Sequence, residues 1–353
     1  MQRLKVGILG AGGVARHHGM GWRAHAERAE LVAVADASPA RFAAFDAAHA
    51  EGRARRYAGF EELIADPEVE AFDICLPHHL HAPAILAAAA AGKAILCEKP
   101  LCTSFADAAG IAAALEASGT RFVMAHNQLF QPSLIEARRL LSMGALGRVS
   151  FVRSVEASQQ RGPSTGELPP GLAAGESPWA WRTDPAKMGG GELFDTGWHG
   201  VYRLLALMDD RPVAVSATLG RFLHHGMAAE DTGSVTVRFE GGAIGEVLTS
   251  WAFGLPGDRQ FEIAGELGSL AGSQTATLFQ LHGWPEPQAW SNDRVHTFTA
   301  EIGRFLDVVQ NGAANPAPFT QGARTLQVIT AAYLAAQRER TVAIPEDPLA
   351  APA

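Results

Sequence analysis

Three things are scarce in this chain. Cysteine occurs three times in 353 residues, at Cys75, Cys97 and Cys102, with no metal-holding spacing. An odd thiol count suits a reducing compartment better than a disulfide framework, so all three are expected to be buried and inert. Basic charge is also short: 29 Lys and Arg against 37 Asp and Glu leave a formal charge of -8. No basic patch stands ready to neutralise phosphates, and nucleic acid is not an expected partner. Long apolar runs are missing too. The longest, around Ala82–Gly92, is about half the ~20 residues a membrane span needs, and the start of the chain shows no charged-then-apolar leader. A soluble, cytoplasmic protein without a membrane partner is the expectation.

What remains has globular composition, 47% hydrophobic and 19% charged, with no disorder signature. The length suits two domains at roughly 150 residues each. The clearest pattern opens the chain: KVGILGAGGVARHH, then LVAVADAS about twenty residues later. Lys5 to Leu9 reads as a buried strand and a helix should follow. Gly10, Gly12 and Gly13, with Ala15 in the third small position, match a G-x-G-x-x-G/A fingerprint. Gly10 permits a tight turn, Gly12 lets backbone approach a pyrophosphate, and Ala15 lets helix and strand pack, with the anion on the helix N-terminus near Val14. Asp36 ends the second strand, where a carboxylate accepts the ribose hydroxyls and repels a 2′-phosphate. NAD is therefore expected over NADP; Arg41, five residues on, keeps NADP open.

Strands and helices then alternate to about residue 127: a helix from Ser38-Pro39, strands at Ala71–Leu76, Ala94–Cys97 and Arg121–Asn127, and helices between them. This predicts an α/β fold whose N-terminal domain, 1–127, is a doubly wound parallel sheet of Rossmann type. Ligands bind beyond the carboxyl ends of such strands, which selects Gly10 to Val14, Asp36, Leu76 to His81, Glu98 to Pro100 and His126 to Gln128; of these Leu76, Pro77, His78, His81, Glu98, Lys99 and Asn127 are the expected cofactor contacts. From residue 128 the rhythm changes. Successive β-type runs at hairpin spacing, with helices around them, predict a C-terminal α+β domain, 128–353, on a mostly antiparallel sheet with one face packed on helices and the other free. The stretch 158–178 is a long irregular segment of the kind that forms lids or binding loops.

Lys99 comes directly off a strand end, with Glu98 beside it to hold it. Asp195 and His199 are four apart in a segment that reads as one helix and so share a face, which continues to Tyr202 and Arg203; a helix cap and a packed histidine are the plainer reading of that pair. His78, His79 and His81 lack the Cys or carboxylate partners of a tetrahedral set, and no metal is expected. His17 and His18 are given no role.

The ordered set GILGAGGVA, LPHHLHAPAILAAAAAGKAILCEKPL and WRTDPAKMGGGELFDTGWH resembles the glucose-fructose oxidoreductase, inositol dehydrogenase and MocA (Gfo/Idh/MocA) family over nearly the whole chain. The resemblance implies a Rossmann domain followed by an open-faced sheet domain, assembled as a homodimer or homotetramer through those sheets. It implies hydride transfer between NAD(P) and a hydroxyl-bearing carbon of a sugar, cyclitol or diol. Lys99, Asp195 and His199 correspond to the family's catalytic group. Trp181 and Arg182 match a pair near nicotinamide and substrate. The family often has arginine where this chain has Gln128-Leu129, and aspartate where it has Tyr202, so both positions bear on the substrate. An NAD-dependent glycoside hydrolase of the same fold and a non-catalytic dinucleotide or sugar binder remain open as alternatives.

Overall fold

The computed structural model describes residues 2–160 and 180–353; beyond residue 160, the loop expected over 158–178 lies outside the described residues. In chain order the first elements are β1 (Leu4–Leu9), α1 (Ala15–Ala24), β2 (Ala29–Ala35), α2 (Pro39–His49), β3 (Arg55–Tyr57) and α3 (Phe60–Ile64). They are followed by β4 (Ala71–Ile74), α4 (His81–Ala90), β5 (Ala94–Glu98), α5 (Phe105–Ser118) and β6 (Phe122–Ala125). The six strands form one sheet in the order β3-β2-β1-β4-β5-β6, every neighbouring pair parallel. The order reverses direction between β1 and β4, which is where such sheets bind ligands.

Local chemistry explains the elements. β1, β4 and β5 carry near-continuous apolar runs because both sheet faces are covered; Val6, Ile8, Leu9, Ile74, Ile95 and Leu96 are fully buried. Helix α2 begins where Ser38 accepts the Arg41 N–H, with Pro39 in the first turn, and α5 where Ser104 accepts the Asp107 N–H. Helix α5 ends on Gly119 in the left-handed region. The short β3 was not legible: three residues with exposed arginines give no apolar signal.

The next elements are α6 (Pro132–Ser142), β7 (Val149–Ala157), α7 (Pro185–Met188), α8 (Glu192–Asp195) and α9 (Gly197–Leu207). Then come β8 (Pro212–Gly220), β9 (Thr232–Phe239), β10 (Ile244–Ser250), β11 (Arg259–Gly265), β12 (Gly268–Ser273), β13 (Ala276–Leu281) and β14 (Gln288–Ser291). Helices α10 (Thr297–Asn311) and α11 (Phe319–Arg338) and strand β15 (Val342–Ala343) complete the chain. The nine strands run β14-β13-β12-β11-β7-β10-β9-β8-β15, antiparallel except for β7 and β10, which pair in parallel from Phe151↔Ile244 to Ala157↔Ser250. Alternation is clean in β9, whose inward residues are buried and outward ones exposed. Helix α9 packs on β7 and β10; a side chain at Gly200 would stand 2.8 Å from Val247 Cγ1.

Two compact units emerge, Met1–Asn127 with His296–Gly322, and Gln128–Val295 with Ala323–Ala353. The expected second domain, 128–353, is thus interrupted, because α10 belongs with the nucleotide-type sheet. Its amphipathic face buries Ile302, Phe305 and Leu306 against α1. A Cβ on Gly21 would come within 2.6 Å of Ile302 Cδ1, and Arg28 pairs with Asp307 at 2.9 Å. The three cysteines are free and buried, and burial pushes the Cys102 thiol up to about 12. Among the described residues no helix is long and apolar enough to cross a membrane.

Candidate active site

In the first unit the glycine loop divides into two kinds of position. Gly10 has φ +94° and a Cβ there would stand 2.6 Å from the Cys75 carbonyl oxygen, so only glycine fits. Among the described residues, beyond their chain neighbours, nothing lies within 4 Å of the Cβ positions of Gly12 and Gly13. Val14 caps α1 without a side-chain acceptor, and no acidic residue occupies the first turn. Open glycine faces at an uncapped helix start fit a dinucleotide pyrophosphate. At the tip of β2, Asp36 accepts the Ala11 N–H at 2.9 Å, the Ser38 N–H at 2.7 Å and Arg41 Nε at 3.1 Å. The acid thereby ties the glycine loop to the start of α2.

Leu76 and Pro77 follow β4, and His78 is buried with its ring 6.0 Å from that of His81. His81 is fully buried. Its Nδ1 lies 2.6 Å from the Pro100 carbonyl oxygen and its Nε2 2.8 Å from that of Leu76, so it ties the loop after β4 to the loop after β5. Glu98 is also turned inward: Oε2 accepts the Lys99 backbone N–H at 2.9 Å and Oε1 faces His18 Nε2 at 3.1 Å. These two residues brace the segment that carries Lys99, which is half-buried. Asn127 donates to Thr297 Oγ1 at 2.9 Å. His126 is fully buried on Gln321, and burial drives it down to about 3.

In the second unit Asp195 ends α8 and His199 lies in the first turn of α9. Thr196 separates the two helices but keeps helical angles, φ -76° and ψ -37°. The Asp195 Oδ2 accepts Arg182 Nε at 2.6 Å. The Arg182 guanidinium in turn lies 4.5 Å over the Trp181 ring, which packs on Met188, Met227 and Trp251. His199 Nδ1 is 2.9 Å from the Tyr202 hydroxyl, and the Gln128 backbone N–H donates to the same oxygen at 3.2 Å. The Gln128 side chain accepts from Arg203 Nη1 at 2.6 Å, and buried Arg203 pairs with Glu156 at 3.0 Å. Gln128 and Tyr202, the two positions expected to bear on substrate, thus belong to one hydrogen-bonded set around His199.

Below this set Glu192 is fully buried with Thr249 Oγ1 2.5 and 2.6 Å from its two oxygens, and burial raises its carboxyl well above the usual range. Sequence reasoning missed His18, Glu301 and this carboxyl. Asp73, a lone charge inside the apolar strand of AFDICLP, was the available sign that a buried partner existed.

Residues 4–126 match the model of an oxidoreductase family with an NAD-binding Rossmann fold, and residues 134–271 that of the GFO/IDH/MocA C-terminal domain. Levoglucosan dehydrogenase of Pseudarthrobacter phenanthrenivorans is 29% identical, the alignment covering 76% of this chain and 73% of that protein. Inositol 2-dehydrogenase of Rhizobium meliloti is 28% identical over 97% of this chain and 99% of its own. The crystal structure of aldose-aldose oxidoreductase from Caulobacter crescentus, complexed with glycerol, superposes with a TM-score of 0.82 at 26% identity, covering 97% of this chain and 100% of that one. With both halves of the architecture and both halves of the sequence matched, the chain belongs to the Gfo/Idh/MocA family of oxidoreductases.

Proposed function

We propose that this protein is an NAD-dependent dehydrogenase that moves hydride between the nicotinamide and a hydroxyl-bearing carbon of a sugar, cyclitol or related polyol. One observation carries the reading: the Gly10–Val14 loop, Asp36 and Lys99 all follow carboxyl ends of strands in a single β3-β2-β1-β4-β5-β6 sheet, where dinucleotides bind. The named relatives, levoglucosan and inositol dehydrogenases, support the substrate class.

A bound nicotinamide supplies the hydride acceptor. Hydride leaves an alcohol carbon readily only as its hydroxyl proton departs, so the chain must take that proton and steady the oxygen. His199 is the base, since imidazole titrates near working pH. Tyr202 occupies Nδ1, which orients Nε2 for the exchange. Lys99, as ammonium, donates to the developing alkoxide; removing one such preorganised donor typically costs about a hundred- to a thousandfold in turnover. Asp195, with one oxygen on Arg182, accepts a substrate hydroxyl. NAD is the preferred nucleotide, supported by Asp36 holding Arg41, the cation a 2′-phosphate would recruit.

We read the assembly as a homodimer or homotetramer through the nine-stranded sheet, in the cytoplasm, where three free cysteines would stay reduced; light scattering tests the assembly. The function is tested by NADH absorbance across a panel of sugars, inositols and diols with purified protein. Turnover of one class is expected. Free sugar released from a glycoside without net NADH would point to a hydrolase, and no turnover of any polyol with either nucleotide would point to a binding protein; either result sinks the dehydrogenase reading.

A further inference from the structure

We propose that His18, clamped between Asp73 and Glu98 inside the nucleotide-type unit, is a positioning residue for Lys99. The proposal rests on the reading that Lys99 takes part in turnover. Its geometry is a chain of contacts. His18 Nδ1 is 2.9 Å from Asp73 Oδ2 and Nε2 is 3.1 Å from Glu98 Oε1, while the other Glu98 oxygen accepts the Lys99 backbone N–H at 2.9 Å. The histidine ring therefore sets where the Glu98 carboxylate stands, and that carboxylate sets the peptide from which Lys99 projects.

Protons in this set are dictated by its donors. Asp73 receives Trp22 Nε1–H at 2.7 Å on Oδ2 and the Cys75 thiol at 3.6 Å on Oδ1, so it acts as an acceptor and His18 Nδ1 must donate. Nε2 faces a second carboxylate, which a protonated nitrogen satisfies and a lone pair does not. The groups around the ring are Asp73 from β4 and Cys75 just after it, Glu98 from β5, His17 and Trp22 from its own helix, and Glu301 and Phe298 from α10. Burial is the largest influence and opposes a charge on His18, yet Asp73 and Cys75 together more than offset it and hold the ring well above the usual histidine range. Glu301 is buried with neither oxygen hydrogen-bonded among the described residues, and burial raises its carboxyl well above the ordinary range; as a neutral acid it adds no third negative charge to those of Asp73 and Glu98.

Stability does not explain this arrangement. Replacing a buried ion set by apolar residues is often neutral or stabilising by about 1–4 kcal/mol, so an interior charge triad under an active lysine needs another reason. Nor does it read as a cation seat. His18, Asp73 and Cys75 bring ligand-type atoms within 4.8 Å of one another, but a metal would have to displace the Trp22 N–H and the imidazole proton from Asp73.

The experiment pairs two measurements on the full chain. In 15N-histidine NMR of the wild type without substrate, His18 should carry protons on both ring nitrogens from about pH 6 to about pH 8; a neutral ring across that range overturns the proposal, whether or not any variant folds. In His18→Gln, kcat should fall about tenfold or more with a displaced kcat–pH profile, while the NADH dissociation constant, by fluorescence, moves less than about threefold. A purely architectural histidine would lower the melting temperature and leave kcat of the folded fraction alone, which also overturns it. Lys99→Ala is the control. If it kept normal turnover, the catalytic reading of Lys99 would fall; if it is dead while His18→Gln is normal, only the positioning role is lost.

Discussion

The hydroxyl oxygen of Tyr202 stands 2.9 Å from Nδ1 of His199 and 3.2 Å from the Gln128 backbone nitrogen. One buried phenol thus satisfies a main-chain donor and fixes an imidazole. In Tyr202→Phe the Gln128 N–H loses its acceptor, at a cost of about 1–3 kcal/mol, and the His199 ring loses a constraint. Thermal melts should show the lowered stability and steady-state kinetics a drop in kcat of about tenfold with KM little changed. Wild-type kcat in this variant would mean that His199 is oriented by other contacts.

Lys99→Ala and His199→Ala should each lose at least about a hundredfold in kcat while NADH fluorescence titrations still show binding. The two substitutions together should cost little more than either alone, since groups that act as a unit are non-additive. Near-normal turnover in either single variant would remove that residue from the mechanism.

The two glycines of the loop should fail differently. Gly10→Ala forces a Cβ onto the Cys75 carbonyl at φ +94°, so expression and melting temperature should suffer. Gly12→Ala meets nothing within 4 Å among the described residues beyond its chain neighbours; it should fold like the wild type and bind NADH at least about tenfold more weakly. Equal melting temperatures for both variants would contradict this division.

Much of this was legible in the residues and some was not. The glycine loop, Asp36 and Lys99 announce themselves because each depends on a local pattern at a strand end. His18 does not: its partners Asp73 and Glu98 lie 55 and 80 positions away, and on helix periodicity alone it looks like one more polar residue beside the loop. The exchange of α10 into the first unit was hidden for the same reason, since an amphipathic helix declares that it has a buried face but not what covers it. Asp195 and His199 read as one helix; the chain makes two, parted at Thr196, which itself keeps helical angles, so residue pattern alone gives no sign of the division.

Nucleotide choice should hinge on Asp36 and Arg41, 3.1 Å apart. Asp36→Asn keeps an acceptor for the Ala11 N–H, removes the negative charge and frees the guanidinium. The ratio of kcat/KM for NADP to that for NAD should rise about tenfold or more. An unchanged ratio would place nucleotide discrimination elsewhere.

Acid should weaken the fold through His126. Burial pushes its ring down to about 3, whereas the unfolded ring titrates near 6.5. Below that value the unfolded chain binds a proton the native one refuses, so this contribution is whole above about pH 6.5 and is lost at up to about 1.4 kcal/mol per pH unit on the way down. His18 has the opposite sign: its raised value stabilises below about 6.5 and is lost as pH climbs through the native value. Urea melts at about pH 6.5 and about pH 5 should therefore show a smaller loss for His126→Asn than for the wild type, by about 2 kcal/mol. Parallel losses would show that His126 does not control acid sensitivity.

The parallel pairing of β7 with β10 has a consequence for synthesis on the ribosome. Strand β7 has β10 on one edge and β11 on the other, both of which follow it in the chain, so a nascent segment Val149–Ala157 emerges with neither neighbour yet made. Its amides should gain no ladder protection in a nascent chain until Ile244–Ser250 has emerged, and a ribosome paused before Ile244 would hold an unpaired strand, the state in which chaperones are most needed.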